Sequence, residues 1–266
     1  MSENSYFSDI KNHLPAKIVE KTEYFDVLDS TNNYLKRRAH ELKSGIVIAD
    51  CQTAGRGRLG RSFISPKGCG IYLSVLFSPD CETDAITPLT CCTAVKVSDA
   101  IYNICGVKPA IKWVNDLIIG TKKICGILVE TIINPTAGRI AIIIGVGVNV
   151  NQSVSDFPEE LRNTASSIAA ETGNTFDRAL LAAEIIKNLE NMCENWSGNF
   201  EKYLNPYKES CVSLKKDAFI ICGEKTEHVY VEDIDDSFGL IVRYPDGRLE
   251  TIRNGEVSVR GLYGYT

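Results

Sequence analysis

The stretch from residue 111 to residue 150 most constrains the fold, because four apolar, β-rich runs follow one another there with only short turns between them. Gly120-Thr121 and Asn134-Pro135 supply two of those turns, and both pairs are typical of chain reversals. Runs this close in sequence favour strands that pair with their neighbours in one sheet. The sequence therefore predicts strands at residues 111–113, 117–119, 124–133 and 139–150.

Helical and further β-rich segments surround these strands. Residues 29–31 (DST) offer capping oxygens to a helix that we expect to end near Leu42. A Thr-Pro pair at residues 87–88 and Gly106 frame a second helix, and apolar residues recur at helical spacing over residues 177–196. The pattern predicts an α+β fold, a mixed β-sheet flanked by helices, with further strands at residues 17–28, 46–51 and 71–77.

The pattern changes after Pro206 to short alternating strands, and Asp246-Gly247 is a strong hairpin signal. We therefore expect two domains, a mixed-sheet domain at residues 1–206 and a small C-terminal β-barrel at residues 207–266. The barrel strands are predicted at residues 212–222, 229–234, 240–244 and 248–253.

Composition excludes several classes of protein. The net charge of −5 argues against a general nucleic-acid binder, because affinity for a duplex comes largely from basic side chains that neutralise phosphates. The longest apolar run, residues 140–150, is about half of what a membrane-spanning helix needs. The polar N-terminus does not resemble a secretory signal, so we expect a cytoplasmic protein with no membrane partner.

Residues 52–70 form a long loop, rich in glycine and arginine, between the strands predicted at residues 46–51 and 71–77. It contains GRGRLG, which satisfies the G-x-G-x-x-G pattern of a dinucleotide fold, but that pattern must open a helix and here it leads to a strand. Glycines let backbone amides approach a ligand, and guanidinium groups bind carboxylate and phosphate. Arg56, Arg58 and Arg61 therefore indicate a loop that holds an anionic ligand.

These residues resemble a known family. Residues 52–61, with the sequence QTAGRGRLGR, are similar to the biotin loop of biotin protein ligases. Three other motifs agree in order and spacing, and the resemblance covers nearly the whole chain. They are DSTN at residues 29–32, KWVNDL followed by KICGILVE at residues 112–130, and GVGVNVN at residues 145–151.

The sequence departs from the family pattern at two positions. Phe63 stands where the family usually has tryptophan, and Val114 where it usually has proline. Both changes keep an apolar side chain and remove no chemical group from the expected site. The family's repressor members carry an N-terminal winged helix-turn-helix, and too few residues precede the first predicted strand to form one. We therefore expect the type that lacks the DNA-binding domain and binds no nucleic acid.

The resemblance implies an enzyme that activates biotin with ATP, together with Mg²⁺, and transfers the biotinyl group to a lysine. It makes residues 1–206 the catalytic domain. Its biotin-binding residues correspond here to Ser30, Thr31, Asn32, Gln52, Gly55, Arg56, Gly57, Arg58 and Lys123. Its adenylate-binding residues correspond to Arg58, Arg61, Asn115, Lys123, Gly145, Gly147 and Asn149.

The chemistry suggests roles for four of the polar side chains. Adenylation forces a carboxylate against a phosphate, and we expect Arg58 and Lys123 to stabilise the developing charge, with Lys112 contributing from the sheet. Asp116 is a candidate either for orienting Lys112 or for accepting the proton of the acceptor lysine. A buried structural role for Asp116 remains an equal alternative.

Partners and alternatives follow from the same resemblance. The expected acceptor is a biotin carboxyl carrier protein domain, and a homodimer through sheet edges is the assembly that the family implies. The closest alternative function is a lipoate protein ligase, whose linear apolar ligand would not need the arginine-rich loop. A biotin-sensing repressor and a dinucleotide-dependent dehydrogenase are the others, disfavoured by the charge and by the strand after the loop.

Overall fold

The fold is seen in a computed structural model that describes residues 5–79, 86–134, 139–196, 200–222, 224–253 and 257–261. A seven-stranded sheet has the order β1-β2-β3-β7-β6-β5-β4. The β1–β2 pair is parallel and the other pairs are antiparallel, so the predicted mixed sheet is confirmed. The strands are β1 Thr22–Phe25, β2 Ser44–Ala49, β3 Gly70–Phe77, β4 Ala110–Lys112, β5 Asp116–Ile119, β6 Lys122–Asn134 and β7 Arg139–Asn149.

Helices cover both faces of this sheet. Side chains alternate along the strands, so Ile46 and Ile48 enter the main core while Val47 joins the cluster beneath the α3 helix, around Leu35. The helices are α1 Ser5–Asn12, α2 Ala16–Val19, α3 Thr31–Arg38, α4 Ile86–Cys105, α5 Ile168–Thr172, α6 Arg178–Glu194 and α7 Glu201–Ser210.

Some predicted boundaries were wrong. The strand expected at residues 17–28 begins at Thr22, because Pro15 starts the short helix α2 there. Helix α3 ends at Arg38 and not near Leu42. Gly106 ends α4 as expected, with a left-handed φ of +70°.

A second, antiparallel sheet follows with the order β11-β10-β9-β8-β12. The predicted α+β class, with helices around a mixed sheet and a small C-terminal β unit, is therefore confirmed. The strands of this unit are β8 Asp217–Cys222, β9 Lys225–Ile234, β10 Leu240–Arg243, β11 Leu249–Ile252 and β12 Val257–Gly261.

The two sheets meet around the turn between β4 and β5. The indole Nε1 of Trp113 donates to the Phe238 carbonyl at 3.0 Å, and the hydroxyl of Tyr207 donates to the Val114 carbonyl at 3.2 Å. Pro206 lies inside helix α7, so the expected division at residues 206 and 207 falls within a helix and stays a prediction.

Candidate functional site

The N-terminus of α3 brings three of the expected biotin-binding side chains together. Ser30 caps the helix, since its Oγ accepts a hydrogen bond from the Asn33 amide at 3.4 Å. Ser30, Thr31 and Asn32 are all buried, with at most 4% of their surface exposed. Polar side chains this deeply buried need partners, and they have them.

A hydrogen-bond network joins this helix end to the glycine- and arginine-rich loop. The backbone amide of Thr31 donates to Oε1 of Gln52 at 2.9 Å, and Nε2 of the Gln52 side chain donates to Oγ of Ser65 at 3.0 Å. On β3, Oγ of Ser74 lies 2.7 Å from the Thr31 hydroxyl and 2.6 Å from Oδ1 of Asn32. The network fixes a polar wall for a ligand.

The loop folds back on itself as a short hairpin. The Gly57 amide donates to the Arg61 carbonyl at 2.7 Å, and the Phe63 amide donates to the Gly55 carbonyl at 2.9 Å. A Cβ at Gly55 would lie 2.3 Å from the Phe63 carbonyl oxygen, so this close backbone approach requires glycine.

The three loop arginines take different positions. Arg58 donates to Oδ1 of Asn115 at 3.1 Å, and burial lowers the pKa of its guanidinium. Arg56 donates to Oδ1 of Asn33 at 2.9 Å and to the Glu130 carboxylate at 3.1 Å. Arg61 lies exposed at the rim. Of the three, Arg58 is therefore the most buried and the one that contacts Asn115.

A lysine and an aspartate face each other opposite Arg58. Nζ of Lys123 lies 2.7 Å from Oδ1 of Asp116, and both side chains are largely buried. Lys112, only 6% exposed, is paired with Asp116 across the β4–β5 ladder. The structure thus brings Lys112, Asp116 and Lys123 together, as the sequence led us to expect, and Asp116 forms an ion pair with Lys123.

Two cavities adjoin at these groups. The larger has a volume of about 390 Å³ and is lined by Lys112, Asp116, Arg61 and Asn149, among others. The smaller, of about 40 Å³, is lined by the α3 terminus, Gln52 and Arg56. The residues that line both cavities are Gly57, Arg58, Phe63, Asn115 and Lys123.

The two strand glycines expected at the nucleotide lie in the wall of the smaller cavity. A Cβ at Gly145 would lie 2.1 Å from Oδ1 of Asn32, and one at Gly147 would lie 2.6 Å from the Phe63 ring. Both positions therefore admit only glycine while Asn32 and Phe63 keep their places. An adenylate contact for Gly145 and Gly147 stays a prediction.

Asn149 lines the larger cavity, but its amide already has protein partners. Its Nδ2 donates to the Ser166 carbonyl at 2.9 Å, and its Oδ1 accepts from Gln152 at 3.2 Å. Its role at the nucleotide is also still a prediction. Sequence reasoning missed Ser74 and gave Glu130 no role, although a serine inside the apolar run IYLSVLF signals a buried polar contact.

Comparisons with known proteins agree with this geometry. A family model described as the biotin/lipoate A/B protein ligase family matches residues 24–149. A biotin--[acetyl-CoA-carboxylase] ligase of Paracoccus denitrificans is 31% identical over 229 residues, which cover 83% of this chain and 93% of that protein. The chain therefore belongs to the biotin/lipoate A/B protein ligase family.

Within that family the similar proteins are biotin protein ligases, as the four motifs predicted. The structure of the biotin protein ligase from Aquifex aeolicus in complex with biotin and ATP has a TM-score of 0.75 and 28% identity, covering 91% of this chain and 99% of that one. The bifunctional ligase/repressor BirA of Bacillus subtilis is 40% identical over 169 residues, 61% of this chain. The match spans about half of that relative, 50% of its length.

Two further observations concern what the described part of the chain lacks. None of its helices combines the length and the apolar character that crossing a membrane requires. Its histidine, cysteine, aspartate and glutamate side chains form no group of three or more that could hold a metal ion.

Proposed function

We propose that this chain activates biotin with ATP to biotinyl-5′-AMP and transfers the biotinyl group to a lysine of a biotin carboxyl carrier protein domain. One observation carries the proposal: the polar smaller cavity and the larger cavity meet at Arg58, Asn115 and Lys123. Two ligands bound in these cavities would meet beside two cationic side chains, Arg58 and Lys123. The complex of the Aquifex aeolicus relative with biotin and ATP supports this pair of ligands.

The first step needs those cations. A carboxylate is a poor acylating agent, and its attack on the α-phosphate of ATP, which breaks the α–β phosphoanhydride bond and releases pyrophosphate, brings two anions together. Arg58 and Lys123 stabilise the charge that builds between them, and they are held in place before the reaction by Asn115 and Asp116. Lys112, at the same end of the sheet, adds to the positive field.

The smaller cavity suits the ureido ring of biotin. That ring is neutral and polar, so it calls for a few fixed hydrogen-bond partners. Ser30, Thr31, Asn32 and Gln52 provide them in a buried setting. The linear apolar chain of lipoate would leave this polar wall without partners, which disfavours the lipoate ligase alternative.

The second step passes the acyl group from the adenylate to an amine and releases AMP. An acceptor lysine has an ordinary pKa of about 10.4, so its attack requires a proton acceptor or a local shift. The ion pair between Asp116 and Lys123 supports an orienting role for Asp116. The name of the Paracoccus denitrificans relative supports a carrier domain of acetyl-CoA carboxylase as the acceptor.

Mg²⁺ fits this site as an ion that arrives with ATP. Among the described residues that line the larger cavity, Asp116 is the one acidic side chain. Mg²⁺ commonly keeps several waters and binds substrate phosphates with one or two carboxylates. When bound, the ion would neutralise phosphate charge. The chain's own contribution is the pair of cations, Arg58 and Lys123.

The test uses the purified chain with α-labelled ATP and either biotin or lipoate. We expect labelled acyl-AMP with biotin only, followed by transfer to a carrier domain and no transfer when the carrier's target lysine is changed to arginine. Acyl-AMP formed from lipoate and not from biotin would overturn the proposal. The cytoplasmic location and the homodimer expected from the sequence remain parts of this proposal, to be tested by fractionation and sedimentation.

A further inference from the structure

Glu130 on β6 lies beside the smaller cavity and accepts hydrogen bonds from three side chains on two elements, helix α3 and the arginine-rich loop. Its carboxylate accepts from Nδ2 of Asn32 at 3.0 Å, from Arg56 at 3.1 Å and from Lys36 at 3.4 Å. Only 16% of its side chain is exposed. Glu130 thus contacts the buried pocket wall, the arginine-rich loop and helix α3 at once.

The carboxylate determines which way the Asn32 amide is turned. A carboxylate has only acceptor oxygens, so the NH₂ group of Asn32 must face Glu130. The same NH₂ lies 3.4 Å from the Leu128 carbonyl, a second acceptor. The oxygen of Asn32 is therefore turned inward, where it lies 2.6 Å from the Ser74 hydroxyl.

The orientation passes on through two hydroxyl groups. A hydroxyl has one proton, and Oδ1 of Asn32 can only accept, so Ser74 donates to Asn32. The Thr31 hydroxyl therefore does not receive the Ser74 proton, and its own proton goes either to Ser74, at 2.7 Å, or to Oε1 of Gln52, at 3.2 Å. Oε1 of Gln52 has two lone pairs, so it can accept from the Thr31 backbone amide and from the Thr31 hydroxyl together. What Thr31 has left for a ligand is an oxygen lone pair.

We propose that Glu130 is a positioning residue that sets the direction of this hydrogen-bond chain, so that Thr31 accepts from an N–H group of the ligand. The inference rests on the proposed function, because the N–H group is that of the ureido ring. It goes beyond the proposed function in giving specificity to a residue outside the pocket wall. The hydrogen-bond chain thereby favours a cyclic urea, because the ring of such a ligand carries N–H donors.

Glu130→Gln tests the direction of the chain. The new amide oxygen is drawn to Arg56 and Lys36, which leaves its NH₂ facing Asn32 and turns the Asn32 amide over. Ser74 then donates to Thr31 and competes with the ligand N–H for the Thr31 oxygen, while the Thr31 proton is directed to Oε1 of Gln52. We expect the Kd for biotin, measured by calorimetry without ATP, to rise about tenfold, the scale of one lost hydrogen bond.

A double-mutant cycle separates this mechanism from a general structural effect. Thr31→Val alone should also weaken biotin about tenfold, and the double variant should be no weaker than about tenfold in total, since both changes act on one oxygen. A total loss of about a hundredfold, the product of independent effects, would overturn the proposal. An unchanged Kd for Glu130→Gln would overturn it as well.

Two controls complete the experiment. Glu23→Gln removes a carboxylate that also binds an α3 side chain, Arg38 at 2.8 Å, and we expect it to leave the Kd unchanged. Ser74→Ala removes the hydroxyl that connects Asn32 to Thr31. In that background, adding Glu130→Gln should change the Kd for biotin little, and a tenfold rise would contradict the proposed hydrogen-bond chain. If the unmodified protein does not bind biotin, the proposed function itself fails. If it binds and the cycle is multiplicative, only this inference fails.

Discussion

The guanidinium of Arg178 lies 3.0 Å from the carboxylate of Asp50, and both side chains are almost fully buried. Asp50 precedes the glycine- and arginine-rich loop and also accepts from the Gly68 amide at 3.3 Å, near the end of that loop. Arg178 donates in addition to the Gly70 carbonyl at 2.7 Å. One ion pair at the start of α6 therefore holds both ends of the loop.

Arg178→Met should destabilise the protein strongly, because it leaves the Asp50 carboxylate buried without its guanidinium. We expect a loss of about 3–5 kcal/mol in the free energy of unfolding by urea. Lys187→Met is the control on the same helix, since its pair with Glu184 is more exposed and should contribute at most about 1 kcal/mol. Equal losses for the two variants would show that the buried pair does not anchor the loop.

Much of the large sheet could be predicted because its strands carry their own pattern. The apolar run of β3 and the glycine-interrupted run of β7 are long enough to identify without tertiary information. The strand predicted at residues 17–28 was wrong for a physical reason. Pro15 starts a helix, while the remaining β residues, Thr22–Phe25, depend on pairing with a strand more than twenty residues away.

The site was partly predictable from motifs. The resemblance brought Arg58, Lys123 and Asn115 to one place because these residues lie in motifs with fixed spacing. Glu130 and Ser74 escaped assignment, since their importance comes from the side chains opposite them in the fold. Sequence patterns record which residues share a strand, but not which of their atoms face one another.

Lys123→Ala should lower the rate of biotinyl-AMP formation by about a hundredfold or more, the scale for losing one preorganised charge-stabilising group. The measurement is single-turnover formation at saturating ATP and biotin. Lys122→Ala is the matched control, because Lys122 is not among the residues lining the two cavities. Comparable rates for the two variants would remove Lys123 from the mechanism and leave Arg58 as the principal cation.

Lys123 follows a turn, where a lysine buries little apolar surface, so the sequence alone predicts little effect of Lys123→Ala on folding. The structure changes that expectation. Removing Lys123 breaks its ion pair with the largely buried Asp116. We expect a loss of about 1–3 kcal/mol in unfolding free energy. Adding Asp116→Asn should restore much of the stability without restoring the rate, and recovery of both would contradict the charge-stabilising role.

Helix α7, which precedes the C-terminal sheet, should affect the site through Tyr207. Tyr207 is fully buried on α7, and its hydroxyl donates to the Val114 carbonyl in the turn that precedes Asn115. Tyr207→Phe should therefore cost about 1 kcal/mol in stability and raise the KM for ATP more than that for biotin. Tyr203→Phe, on the same helix, should leave both constants unchanged. Equal changes in both KM values would contradict a link to the nucleotide side.

Deletion of residues 207–266 follows from the same contacts. The sequence predicts an appended module that serves acceptor or ATP binding, so that its removal spares biotin affinity. Since Tyr207 and Phe238 belong to the same buried cluster as Trp113, we expect the shortened chain to lose stability and biotin binding together. Retention of full biotin affinity, measured by calorimetry, would support the appended module instead.

The glycine- and arginine-rich loop should be protected by its ligand. Trypsin cleaves after arginine, and Arg56 and Arg61 are exposed. We expect biotin with ATP to slow cleavage at residues 56–61 several-fold, because an ordered loop opens less often. Cleavage elsewhere in the chain provides the internal control, and equal rates with and without ligand would rule out closure over the ligand.

Asp29 should make stability depend on pH in the acid range. Arg37 binds its carboxylate through two hydrogen bonds, of 2.8 and 3.0 Å, and these lower the pKa of Asp29 to about 2. The folded-state pKa lies below the unfolded value of about 3.9, so the pair stabilises the protein above pH 4. This contribution is lost as the pH falls through the folded-state pKa.

The expected size of the Asp29 effect is small, because 39% of the Asp29 side chain and 57% of the Arg37 side chain are exposed. Asp29→Asn should cost at most about 1 kcal/mol at pH 7, measured by urea unfolding. The difference in unfolding free energy between the unmodified protein and Asp29→Asn should stay constant from pH 7 to 5 and become smaller at pH 4 and 3. In an Arg37→Met background, Asp29→Asn should cause a smaller loss of unfolding free energy at pH 7. A gap that persists or widens at pH 3 would show that Asp29 acts through helix capping and not through its charge.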